Sequence, residues 1–374
     1  MSSQHFMDRL VRSALDGGLP LVLFVTALLA GFVALQYTPR EEEPQIVVPM
    51  LDVLVEAPGL DARQVERQVT MPVEKLLSQI PGVEHVYSVS HRGKAAVTLR
   101  FHVGEDREES ILNTYNKLFA NQDQVPDVVS NWLLRPIEVD DVPVVMLGLW
   151  SSQAERYNDY DLRRMADELA TYLQRIPRAS EVQVVGGRPR TVRVLLDPES
   201  LAARRTAPLE VAEALALSNQ RILAGTWTSE NQSFLLESGD FFNSIRELER
   251  LPVNVIDGST VFLQDVAQVI DGSAEAEHYS WIDFAPSSPQ SEPQRGLPMV
   301  AISVAKHRGS NAVKLAEEVH RAIAEVSGNI LPPEIRVEVL RDYGQTANEK
   351  VNNLSASLAF AIVTVVVFIG VFLG

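Results

Sequence analysis

Three histidines, His85, His91 and His102, fall close together on segments that read as adjacent strands, and imidazoles so spaced would suit a divalent metal. Exposed strand histidines fit the same spacing, and the chain has no cysteine to complete a thiolate set. The seven methionines (Met1, Met7, Met50, Met71, Met146, Met165 and Met299) are scattered, which argues against a path for a soft metal. Gly186-Gly187 is not followed by the Lys-Ser or Lys-Thr of a phosphate loop and reads as a turn. Ser88 and Ser90 lack the flanking glycines of a nucleophile elbow. No catalytic, cofactor-binding or metal-ligating set emerges, so the chemistry left is aromatic. Trp150, Tyr279, Trp281 and Phe284 are aromatic side chains of the kind that line pockets. Trp150 ends a strand and reads equally well as a core side chain. The stretch Ile222 to Phe234, polar around an isolated Trp227, reads as an extended hairpin or arm.

These residues sit in a chain of 374 with 33 basic and 49 acidic side chains, a formal charge of −16. That balance argues against a nucleic-acid partner, which would need a basic face. The charge is unevenly placed. Leu19 to Leu35 is uncharged, as is Leu354 to Gly374, and the net negative charge lies between them. The first run would be about 25 Å long as a helix, near the lower limit for a bilayer, and the second is longer. A signal peptide is the rival reading of the first run, but its apolar stretch is long for one and no small-x-small cleavage pattern follows. Arg9 and Arg12 place the N-terminus (1–18) in the cytoplasm, so the acidic block is exported, in a bacterium to the periplasm. Because the second run ends with the sequence, a truncated chain is expected.

Within the block, strands and amphipathic helices alternate. Ile46 to Ala57 reads as a strand closed by Pro58-Gly59, and a helix after Asp61 is striped by Val65, Val69, Val73, Leu76, Leu77 and Ile80, with a kink expected at Pro72. Val83 to Ser90 and Ala95 to Val103 read as strands around Gly93. A helix after Gly104 then carries Ile111, Leu112, Tyr115, Leu118 and Phe119 on one face. That order is most of a ferredoxin-like split βαβ unit. It recurs: Val142 to Trp150, then a helix striped by Leu162, Met165, Leu169, Leu173 and Ile176, with Ile176-Pro177 repeating Ile80-Pro81 at an offset of 96. The rest of the second unit resumes after Pro298, with Val300, Ile302 and Val304 alternating and Leu315, Val319, Ile323 and Val326 striping a helix. About a hundred residues interrupt it. Ala285 to Gly296, rich in Pro, Ser and Gln, reads as a mobile loop, and Ile335 to Leu340 as a strand whose sheet is unassigned.

Several local motifs, taken in order, resemble those of resistance-nodulation-division (RND) efflux permeases, specifically their N-terminal third. They are Pro58-Gly59 with Pro72-Val73-Glu74, Ile80-Pro81-Gly82-Val83, Val261 to Val269 (VFLQDVAQV), Gly309-Ser310-Asn311-Ala312, and Leu331-Pro332 with Asp342. Each motif alone is weak; their order between two apolar runs carries the resemblance.

The resemblance implies an α+β membrane protein with two ferredoxin-like porter subdomains, an inserted docking subdomain and two bracketing transmembrane helices, 19–37 and 354–374. The first porter subdomain would be 40–136. The second would be 142–187 with 276–331, the docking subdomain 188–275, and 332–353 a return strand and linker. It further implies a homotrimer in the bacterial inner membrane, multi-pass at full length, working with a periplasmic membrane-fusion adaptor and an outer-membrane channel. The Ile222, Trp227 and Phe234 arm would reach into the next subunit. Proton entry drives such pumps through paired aspartates on the fourth membrane helix, which would lie beyond Gly374. Multidrug members line a deep pocket with phenylalanines; residues 142–176 contain none, which puts broad drug specificity in doubt. A metal-exporting branch, a protein-export subunit and a membrane-anchored periplasmic scaffold are the alternatives.

Overall fold

The computed structural model describes residues 19–42, 48–124, 126–137, 142–286, 295–329 and 331–373. The N-terminal segment 1–18, the start of the first expected strand at Ile46, and most of the loop expected over 285–296 lie outside the described residues. The first helix, α1, spans Leu19–Tyr37 and turns apolar side chains outward all round from Leu21 to Leu35. A helix with that surface has no aqueous face to prefer.

The first sheet unit follows. Strand β1 (Met50–Glu56) leads to a composite helix, α2, made of Ala62–Val65, a wide turn Glu66–Thr70, and Met71–Leu77. Asp61 starts it by a reciprocal cap: its Oδ1 accepts from the Gln64 N–H at 2.8 Å, and Gln64 Oε1 accepts from the Asp61 N–H at 2.9 Å. In place of the expected kink at Pro72, the turn ahead of it widens, and the Met71 N–H reaches back five residues to the Glu66 carbonyl. A proline has no N–H and would crowd the carbonyl four residues back, and a single wide turn relieves both. Strands β2 (Val83–His91) and β3 (Lys94–Phe101), helix α3 (Arg107–Ala120) and strand β4 (Asn131–Ile137) complete the unit. The sheet is antiparallel in the order β2-β3-β1-β4. Leu51, Val53, Val55, Val97, Leu99 and Phe101 project from one face onto Val65, Val69, Val73 and Leu77 of α2 and Leu118 of α3.

Helix α3 corrects an expectation. Of the apolar face read from sequence, only Leu118 is buried, while Leu112, Tyr115 and Phe119 are exposed. The helix turns Ser110 and Thr114 inward instead. Their hydroxyls donate to the Asp106 and Ser110 carbonyls at 2.6 and 2.8 Å, so they enter the core already satisfied. Outside, the Tyr115 and Phe119 rings stack and Phe119 meets Trp132 edge-on, each pair with centroids 6.0 Å apart.

The second unit begins with β5 (Pro143–Ser151), α4 (Asp159–Leu173) and β6 (Ala179–Val185). The chain then leaves through β7 (Arg190–Leu196) and returns through β12 (Ala267–Ser273), two antiparallel strands in register from Arg190↔Ser273 to Leu196↔Ala267. Between them lie α5 (Pro198–Ala203), α6 (Pro208–Ser218), the hairpin β8 (Ile222–Ser229) and β9 (Gln232–Ser238), α7 (Ile245–Glu249), and the pair β10 (Pro252–Ile256) and β11 (Ser259–Phe262). This insertion has its own core of Leu201, Val211, Leu248, Leu251, Val253, Val261, Leu263 and Val266. The hairpin turns on Glu230 and Asn231, both at positive φ, as a two-residue turn between right-twisted strands requires.

The chain re-enters the sheet through β13 (Trp281–Ile282) and β14 (Leu297–Lys306), then α8 (Ala312–Asn329) and β15 (Ile335–Asp342). Strand β14 pairs with β6 and β13 on one edge and β5 on the other, and β15 takes the far edge of β5. So β6, β14, β5 and β15 occupy the places of β2, β3, β1 and β4 in the first unit, and the strand left unassigned from sequence has its sheet. Leu147, Leu149, Ile302 and Val304 meet Leu162, Leu169, Leu173, Leu315 and Val319 of the two helices.

Strand β15 runs directly into α9 (Tyr343–Leu373), so the stretch read as a linker to 353 is helical from Tyr343. Among the described residues one helix is long and apolar enough to cross a bilayer, Tyr343–Phe372; Leu21–Leu35 is a shorter apolar stretch. The chain after α1 is clasped between these parts. The Arg40 carbonyl accepts from the Ala312 N–H, Arg40 Nη1 donates to Asn348 and Asn352, and Glu42 meets Lys350 at 2.8 Å. Glu41 pairs at 3.1 Å with Lys306, which is 7% exposed. Breaking a buried pair from one side strands the other charge. Glu41→Gln should therefore cost about 3 kcal/mol, while Glu41→Leu with Lys306→Met should cost less than half of that, by chemical unfolding in bilayer discs.

Candidate functional site

A cleft of about 490 Å³ opens beside the second sheet, where the insertion leaves and rejoins it. Its polar floor starts at the turn after β6. Gly186 and Gly187 both have positive φ, and a Cβ at Gly187 would come within 2.7 Å of the Asp159 carbonyl and 2.8 Å of Val300. Only glycine lets this turn lie so close to α4. Arg163 fixes it by donating to the Gly186 carbonyl at 3.0 Å. The next residue, Arg188, then reaches Asp159 in a fork, with Nε to Oδ2 at 2.8 Å and Nη2 to Oδ1 at 2.7 Å. The hydrogen bonds from Arg188 hold the Asp159 carboxyl below its usual range, against the opposing effect of partial burial. In return the bond to Asp159 raises the Arg188 guanidinium, with a smaller contribution from nearby Tyr279.

The aromatic wall comes from the strap 276–286. Ser280 Oγ donates to the Met299 carbonyl, the Met299 N–H donates back to Ser280 at 3.2 Å, and Trp281 and Ile282 pair with Pro298 and Leu297. Strand alternation then sorts the side chains. Tyr279, 75% exposed, and Trp281, 60% exposed, line the cleft with Asp159, Arg188 and Pro298. Ile282 and Phe284 point inward onto Trp150, itself 1% exposed, with the Phe284 and Trp150 rings 4.7 Å apart. Of the four aromatics singled out from sequence, two therefore face the cleft and two anchor the strap beneath it. Arg336 lies over the Trp150 ring at 5.6 Å.

Arg188 and Asp159 were not singled out from the sequence. The Gly186-Gly187 turn was visible, but a pair separated by 29 positions leaves no periodic trace. The other candidates are dispersed. Ile222, Trp227 and Phe234 stand exposed on the β8–β9 hairpin, with Trp227 opposite Phe234 and ring centroids 5.6 Å apart. Ser88 donates to Glu74, and Ser90 bonds Thr70 at 2.8 Å, so both hydroxyls tie β2 to α2. His85 lies 3.8 Å from Glu84 and near Tyr87. Among the described residues no group of three His, Asp or Glu side chains is placed to hold a metal ion.

A profile of the AcrB/AcrD/AcrF family matches residues 19–374. The chain is 24% identical over 353 residues to the multidrug resistance protein MdtC of Yersinia enterocolitica, and 25% identical over 357 residues to that of Edwardsiella ictaluri. The alignments cover 94% and 95% of this chain and 33% of each relative, so the chain spans about a third of the length of the curated relatives it matches.

The Arg188–Asp159 fork has a pH signature. A carboxyl lowered in the folded state contributes stability above its ordinary value near 3.9, and that contribution disappears as pH falls through the lowered one. Asp159→Asn should melt below the parent chain at pH 7, and the gap should narrow as pH falls below the ordinary carboxylate range. Melting curves at stepped pH, read by circular dichroism, check this; a constant gap would contradict it.

Proposed function

The chain belongs to the AcrB/AcrD/AcrF family of RND permeases, inner-membrane transporters rather than enzymes, and from that we propose that it forms the N-terminal part of a proton-driven exporter of small amphipathic compounds. Helix α1 and the apolar part of α9 cross the membrane as a pair. At 19 residues, α1 is about 28 Å long, close to the thickness of a hydrocarbon core. The acidic sheet block between them then lies in the periplasm. Its two units are ferredoxin-like porter subdomains, 40–136 and 142–187 with 276–331. The shared strand order, with each outer strand in the corresponding place, supports that reading.

The insertion, 188–275, serves as the docking subdomain. Its hairpin carries Ile222, Trp227, Phe234, Leu235 and Leu236 into solvent, an apolar load that suits burial in a neighbouring subunit of a trimer. An adaptor and an outer-membrane channel would complete the exit path. Neither α1 nor α9 from Leu354 onward carries an acid, so proton coupling would fall to helices outside this segment. The observation that carries the substrate assignment is the cleft, with Tyr279 and Trp281 exposed over a polar floor at the root of the insertion.

Disrupting the reading frame that contains this segment in its native host should raise intracellular accumulation of N-phenyl-1-naphthylamine several-fold. Collapsing the proton gradient with an uncoupler should bring parent cells to the same level. Unchanged accumulation in the disrupted strain would contradict the export reading.

A further inference from the structure

Among the described residues, the cleft at the root of the insertion offers unpaired hydrogen-bond donors, and the one carboxylate in its lining, that of Asp159, is already paired. Arg188 spends Nε and one edge of Nη2 on Asp159, and among the described residues its Nη1 donates to nothing. The Tyr279 hydroxyl and the Trp281 indole N–H stand on the same wall with no protein partner among the described residues. The acceptors nearby each already have a donor: the Asp159 carboxylate from Arg188, the Gly186 carbonyl from Arg163, and the Met299 carbonyl from Ser280. Among the described lining residues the one carboxylate is that of Asp159, so a cationic solute would have to compete with Arg188 for it. An anionic one would find the open edge of a planar guanidinium, which matches a carboxylate in bidentate fashion.

We propose that this cleft selects flat aromatic carboxylates, the ring stacking on Tyr279 and Trp281 and the carboxylate bonding the free edge of Arg188. This rests on the reading of the strap as one wall of the substrate path, and it adds to that path a preference for one chemical class. The chain's charge of −16 works the other way at long range, drawing cations. At physiological ionic strength that field is screened over about 8 Å, so contacts inside the cleft decide the preference. Asp159 is a positioning residue here: it holds Arg188 in place and at the same time offsets its charge.

The test uses the full chain in bilayer discs, labelled with 5-fluorotryptophan, with the Trp281 signal assigned by its loss in Trp281→Phe. The probes are 2-naphthoate and 2-naphthylmethylammonium, which share a ring and differ in the sign of the head. Titrations followed on the Trp281 fluorine resonance should give naphthoate a dissociation constant about tenfold lower than the ammonium compound. Arg188→Gln should bring the two to parity. Asp159→Asn, which frees the guanidinium charge, should tighten naphthoate further, whereas a purely structural fork would weaken both probes. Equal binding of both probes by the parent chain would overturn the selectivity while leaving the strap as a substrate wall. No shift of Trp281 with either probe would overturn both.

Discussion

The strand Pro143–Ser151 is the constraint on which the second half of the structure rests. It lies between β14 and β15, and Val145, Leu147 and Leu149 feed the helix-packed core while Gly148 and Trp150 are enclosed on the other face. A strand buried on both sides needs the continuous apolar run this sequence has there. Its two partners arrive from far along the chain, after an insertion large enough to hold its own core. Closing a long loop costs entropy that grows only slowly with length. The paired strands β7 and β12 bring the ends of the insertion together, so β14 returns beside β6 without a slack connection.

From that sheet the order passes outward in two directions. Toward the helices, β15 leads without a break into α9, and the His320–Asp342 contact at 2.6 Å ties α8 to the start of that helix. Asp342 also caps it, accepting from the Gln345 N–H at 2.8 Å. The Arg40–Glu42 segment binds the same region, so charge pairs join the end of α1 and the second sheet to the start of α9, where Tyr343 and Ala347 also pack on the second unit. Toward the cleft, Trp150 anchors Phe284, and so fixes which side of the strap Tyr279 and Trp281 face.

Much of this was legible in the residues. The repeated Ile-Pro pair, the alternating valines and the helix stripes located both units and the interruption between them, because core burial writes itself as periodicity. Three features escaped for physical reasons. The inward face of α3 is lined by Ser110 and Thr114, whose hydroxyls are satisfied within their own helix, so polarity misreported burial. The helix around Pro72 absorbed the proline by a wide turn, which no local propensity announces. The Arg188–Asp159 fork joins a turn to a helix start through a close approach at Gly187, and that meeting exists only in three dimensions. The four aromatic candidates lie together at the strap, but strand alternation alone could not tell which would face outward in so short a strand as Trp281–Ile282.

The substrate assignment turns on whether solutes in transit occupy the wall made by Tyr279 and Trp281. The chain contains no cysteine, so Trp281→Cys introduces a single thiol in this segment, with Val255→Cys on the insertion as a control. In cells exporting N-phenyl-1-naphthylamine through the intact permease, the compound should slow maleimide labelling at position 281 several-fold and leave position 255 unchanged. Equal labelling rates at 281 with and without the compound would place the path elsewhere.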